Sequence, residues 1–201
     1  MAGSIIQLGR RLASNHAVLR TRDFERLGVP RHELGALVDQ GDWKRVGHGL
    51  YRSTRRPPDP NHSLLEVASR MPKGVICLLS ALRFHDLTSE RSTEVWVALP
   101  RNAWSPVNDT VQTRVLHVSE PAFSEGIEEH RVGGIPVRVY SVAKTIADCF
   151  KFRNQIGTAV AVEALRDAWR SRKVTTEDLW RCAKACRITN VIRPYLEALI
   201  R

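Results

Sequence analysis

Three prolines within four positions, Pro57, Pro58 and Pro60, divide this chain more sharply than any other feature. A pyrrolidine ring fixes φ and removes the backbone donor, so such a run continues neither a helix nor a central strand. The surrounding stretch RSTRRPPDPNHS, residues 52–63, predicts a linker between a domain at 1–56 and another at 57–201.

Charge follows the same division. Residues 1–56 carry 11 Lys/Arg against 5 Asp/Glu, residues 57–150 carry 9 against 11, and residues 151–201 carry 11 against 5. The net +10 is thus two cationic ends on a nearly neutral middle. Such ends favour a polyanion, because each neutralised phosphate releases condensed counterions. With 43% apolar residues the chain can bury a core. No apolar run reaches the roughly 18 residues that would span a bilayer, so no membrane role is expected. The opening MAGSIIQLGRRLASN lacks the cationic start and apolar centre of a secretory leader, which predicts a cytoplasmic location. Cys77, Cys149, Cys182 and Cys186 sit in apolar or helical contexts with no histidine at a metal-ligand spacing. They read as half-buried thiols, and neither a metal nor a cofactor is expected.

Before the prolines the pattern is helix, short helix, glycine, helix and hairpin. Ile5, Ile6, Leu8 and Leu12 mark the first helix. Thr21 reads as the cap of a second, which buries Phe24 and Leu27 and ends at Gly28. Pro30 opens a third, whose Leu34, Leu37 and Val38 form an inward stripe and whose end is Gly41. The segment GDWKRVGHGLYR, residues 41–52, then reads as a ribbon turning at Gly47 and Gly49, anchored by Trp43, Val46, Leu50 and Tyr51. This is the order of a winged helix-turn-helix. Opposite the inward stripe, the third helix carries His32, Ala36 and Asp39, flanked by Gly35 and Gln40. Small residues there let the backbone approach a major groove. The candidate DNA-binding residues are Arg22, Arg31 and His32 on the helices, with Lys44, Arg45, His48 and Arg52 on the wing.

After the prolines, TEVWVALP and QTRVLHVS read as strands, IEEHRVGGIPVRVYS as a hairpin around Gly133-Gly134, and the remainder as helices. Ser141 and Thr175 or Thr176 are helix caps. The fold class expected is α+β: a winged helix-turn-helix followed by a mixed α/β domain with a small sheet and a helical C-terminal part.

LGVPRHELGALVDQGDWKRVGHGLYR resembles the winged domain of AbiEi-type antitoxins. LLSALRFHDLTSE, EVWVALPR, GIPVRVYSVAKTIADCFKFRNQIG, AVEALRDAW and RPYLEALI, in that order, are similar to the family's C-terminal domain. The resemblance implies an antitoxin that represses its own toxin–antitoxin, abortive-infection operon in phage defence. It implies binding to promoter inverted repeats and neutralisation of a nucleotidyltransferase-like toxin, directly or indirectly. It fits a chain that is monomeric in solution or weakly dimeric on DNA. Two positions depart from the family's pattern. His48 stands at the wing tip and Lys144 before Thr-x-x-Asp, where arginine is common; the first weakens a phosphate contact and the second loses bidentate geometry.

The alternative is a DNA-targeted nuclease. Its metal site would need a carboxylate pair and a lysine on adjacent strands, and in Glu94-Val95-Trp96 a tryptophan takes the lysine position. Neither Ser80 nor Ser141 lies in a nucleophile-elbow pattern; both read as caps. No catalytic residue is assigned. Lys144 and Asp148, four apart on one helix, read first as an ion pair and otherwise as a contact for the toxin or an RNA. With Arg166, Arg170, Lys173, Arg181 and Lys184 they make up a candidate second basic surface.

Overall fold

A computed structural model describes residues 2–56, 61–89, 92–105, 111–132 and 135–200. The chain divides into two compact units, Met1–Pro72 with Arg131–Ile135, and Lys73–His130 with Pro136–Arg201. Pro57, Pro58, Pro60 and the Gly133-Gly134 turn lie outside the described residues.

The first unit opens with α1 (Ala2–Asn15), β1 (Val18–Arg20) and α2 (Thr21–Arg26). A 3-10 turn over Arg31–Glu33 runs into α3 (Leu34–Asp39); β2 (Trp43–Gly47), β3 (Leu50–Ser53) and α4 (His62–Arg70) follow. The strands form an antiparallel sheet in the order β1-β3-β2. Together they make the winged helix-turn-helix. The helices close over Phe24, Leu34, Leu37 and Trp43, all buried. Phe24 meets the edges of Trp43 and Tyr51 at ring separations of 4.8 and 5.6 Å, the T-shaped geometry that aromatic quadrupoles favour. Gly9 is required where α1 crosses α3: a Cβ there would stand 2.4 Å from a Leu37 methyl. Its carbonyl also accepts the Trp43 indole N–H at 3.0 Å, which satisfies that buried donor.

Two expectations change. Arg20, not Thr21, is the N-cap of α2, and its N–H donates to the Asp23 carboxylate. Thr21 instead donates to the Gly49 carbonyl, because the unforeseen strand β1 runs to Arg20 and delivers it beside the wing. Leu27, placed in the core by helical spacing, is 40% exposed: α2 has already ended at Arg26, so the period no longer applies.

Alternation along the ribbon sorts its residues. In the cross-strand row Leu19–Tyr51–Arg45, Leu19 and Tyr51 pack into the helical core. The next row, Val18–Arg52–Lys44, points the other way. That second face is covered by α4, which packs on β2. At Gly47 the approach leaves an added Cβ 3.0 Å from the Ser69 hydroxyl.

The second unit holds β4 (Val75–Ile76), α5 (Leu78–Phe84), β5 (Val95–Pro100), β6 (Thr113–Val118) and all but the adjoining ends of β7 (Ile127–Val132) and β8 (Ile135–Tyr140). The helices α6 (Val142–Lys151), α7 (Arg153–Ile156), α8 (Thr158–Arg170), α9 (Thr176–Ala185) and α10 (Thr189–Ile200) complete it. The sheet is mixed, in the order β6-β5-β4-β8-β7, with β4 antiparallel to β5 and parallel to β8. Helix α6 is the hub; it packs on α5, α8, α9 and α10, and every residue from Ala143 to Phe150 is buried. Ser141 caps it, accepting the Lys144 N–H, and Thr175 caps α9. Ser80 is no cap: it lies inside α5, where its hydroxyl accepts the Trp96 N–H at 2.9 Å.

Candidate nucleic-acid interface

Between α3 and the wing runs a groove of about 380 Å³. One wall is the row Arg31, Gly35 and Asp39, spaced four apart so that they stack along the helix. Arg45, Tyr51 and the turn at His48-Gly49 make the other, and Leu34 and Val38 form the floor. Gly49 holds φ at +63°, in the left-handed region where L side chains are strained. This lets the ribbon reverse within two residues and carry His48 to the rim. Arg31, Gly35, Asp39, Arg45 and His48 are all exposed. A Cβ added to Gly35 would have nothing within 4 Å, so the gap over the helix there is open.

The structure thus brings Arg31, Arg45 and His48 together. His32 is exposed beside them, 3.7 Å from the Glu33 carboxylate, and does not line the groove. Arg22 is exposed on α2, with its Nε 3.9 Å from Asp23. Lys44 and Arg52 are a cross-strand pair on the opposite face, where Lys44 lies near Glu66 of α4. Strict period-2 alternation from Trp43 inward separates Lys44 from Arg45. Proximity along the chain alone does not distinguish the two. Nor does it single out Asp39, whose last-turn position puts a carboxylate on the cationic wall.

Two further cations of this unit are committed elsewhere. Asp42 is buried and accepts from Arg55 at 2.6 Å and from Arg10 at 3.3 Å. Burial pushes its carboxyl up, but the hydrogen bonds from Arg55 and Arg10 prevail and hold it below the ordinary carboxylate range.

The second basic surface expected from the sequence does not converge. Lys144 and Asp148 are buried, so they belong to the core and not to a surface. Lys144 Nζ donates to Asp148 at 2.5 Å and sits 3.8 Å from the centre of the Tyr140 ring. The other Asp148 oxygen faces the Cys186 thiol at 3.4 Å. Burial, with Asp148 next, pushes that thiol up to about 12; burial and Glu125 push Cys182 to about 11. Lys173 donates to the His85 carbonyl, and Arg181 is held by Glu125 and Asp178. Arg166 and Arg170 are exposed on α8, and Lys184 on α9. Glu94, on which the nuclease alternative turned, precedes β5 and stands 3.7 Å from Arg114. Among the described residues no three His, Cys, Asp or Glu side chains are placed to share a metal ion.

The head is a winged helix-turn-helix, a fold class shared by DNA-binding and protein-binding modules. Residues 3–54 match the family model described as "Transcriptional regulator, AbiEi antitoxin", which shows for this segment the resemblance read from the sequence. That description is of a regulator and antitoxin, not of an enzyme. Comparison with curated proteins returned no match. Among the described residues no helix is long and apolar enough to cross a membrane.

Proposed function

We propose that this protein is the antitoxin and DNA-binding autorepressor of a toxin–antitoxin operon. Its partners are promoter DNA and a nucleotidyltransferase-like toxin. The family match supports the regulatory and antitoxin role. The observation carrying the DNA reading is the groove in which Arg31 and Arg45 face each other beside the open backbone at Gly35. In this reading Arg31 and Arg45 meet phosphates on either side of the docked helix, and Gly35 and Ala36 let its backbone sit deep in the major groove. His48 at the rim reaches the sugar–phosphate backbone beside the wing. Lys44 and Arg52 contribute to the general field from the far face and make no groove contact. The second unit carries the antitoxin role. No cofactor enters the proposal.

Gel shifts of the full chain on its own upstream region, across a salt series, test this. Arg31→Ala with Arg45→Ala is expected to flatten the slope of log affinity against log salt by about 2, one for each phosphate contact. Gly35→Trp leaves the fold intact, since the space is open, and blocks the groove. If Gly35→Trp binds as tightly as the parent, the groove is not the DNA surface.

A further inference from the structure

The α3 wall of the groove is cationic at one end and anionic at the other. Asp39 lines it together with Arg31 and Gly35, and its side chain is exposed. Its surroundings leave that carboxylate without a structural task. Asp39 makes no ion pair among the described residues, although Arg31 and Arg45 line the same groove. It stands in the last turn of α3, where the negative end of the helix dipole disfavours an anion. The backbone N–H groups of Gln40 and Gly41 close that helix end, so Asp39 is not its cap. On a wall that meets phosphates a carboxylate is also repulsive. It is offset only by a donor on the other side of the interface.

A base edge supplies such a donor. In the major groove the amino groups are adenine N6 and cytosine N4. Adenine N6 lies between two acceptors, its own N7 and the thymine O4, and both repel a carboxylate. Cytosine N4 has an acceptor on one side only, the guanine O6, and is the better match. An aspartate has a single methylene and reaches a base edge only where the helix backbone comes close. Gly35 stands one turn back on the same row, and a Cβ added there would have nothing within 4 Å. Helical side chains lean toward the N-terminus, so Asp39 leans toward that gap. We infer that Asp39 is a specificity-determining residue whose carboxylate accepts the N4 amino group of a cytosine in the bound duplex. The inference rests on the DNA reading above and goes beyond it by naming a base.

Selection from a duplex library tests it. The library is the protein's own upstream region with the bound bases randomised, and the full-length parent, Asp39→Ala and Asp39→Asn each select from it. The parent is expected to prefer cytosine at one position by about fivefold or more. Asp39→Ala loses the preference at that position and keeps the others. It also binds sites lacking that cytosine more tightly than the parent does, because the repulsion has gone. Asp39→Asn moves the preference at the same position to adenine, whose N6 and N7 match a carboxamide. Neither variant changes the slope of log affinity against log salt, since no phosphate contact is removed. Thermal melts are expected to show both variants at least as stable as the parent, as an anion leaves a helix C-terminus. If Asp39→Ala keeps every base preference of the parent, or shifts affinity equally for all sequences, Asp39 reads no base and the inference is overturned. The salt slope carried by Arg31 and Arg45 would then still stand for the DNA reading. A parent that selects no duplex overturns both.

Discussion

Asp42 in the head and Asp148 in the second unit are both buried carboxylates paired with cations, and they do different physical work. The partners of Asp42, Arg10 and Arg55, are about half exposed, so the carboxylate is the only charge of the cluster removed from water. Lys144 and Asp148 are both withdrawn from solvent, and Tyr140 and Cys186 complete their surroundings. In the first case water can take over from a lost partner. In the second it cannot, and removing one charge strands the other in the core of the α6 hub.

The largest test of that contrast is Asp148→Ala, expected to cost about 3–5 kcal/mol in chemical denaturation and to reduce soluble yield. Replacing both members, Lys144→Met with Asp148→Leu, should recover much of the loss, since the pair then leaves no orphaned charge. If the double variant is as unstable as the single one, the pair is not what Asp148→Ala disrupts. Gly126 sharpens the same point. It holds φ at +66°, and an added Cβ would stand 2.7 Å from the Lys144 Cβ. Gly126→Ala should cost about 2–3 kcal/mol through strain and displacement of the lysine. In the head, Asp42→Asn should cost only about 1–2 kcal/mol, because Arg10 and Arg55 relax into solvent.

The smallest expected effect is a difference in acid response. For Asp42 the folded state holds its proton less readily than the unfolded chain does. Its contribution to stability is therefore complete above the ordinary carboxylate value and is lost as pH falls through the lower folded value. In the second unit, burial lowers the His85 pKa despite the Tyr140 carbonyl that its ring contacts at 2.7 Å. Its contribution is lost earlier, as pH falls below the ordinary histidine value. Thermal melts between pH 7 and 3, compared for the parent and the His85→Gln and Asp42→Asn variants, should show the histidine acting first.

The head was largely legible in sequence because its signals are local. Gly28, Gly41 and Gly49 all take positive φ where turns were read, and Trp43, Val46 and Leu50 are buried where anchors were read. What failed there needed strand parity: alternation along β2 from Trp43 sets Lys44, with its partner Arg52, on the face opposite Arg45, and a grouping by proximity does not apply it. In the second unit the i,i+4 spacing of Lys144 and Asp148 was plain, but a core pair and a surface pair have identical spacing. Their burial is decided by α8, α9 and α10, which follow them in the chain.

The bracing of the ribbon by α4 carries a mechanical consequence. With α4 packed on β2 and Ser69 beside Gly47, the ribbon is backed as far as the residue before its turn, and only the two-residue tip projects beyond. In the proposed complex it would meet the duplex as a short stiff prong, already aimed, and little freedom would remain to be frozen out when the two surfaces close.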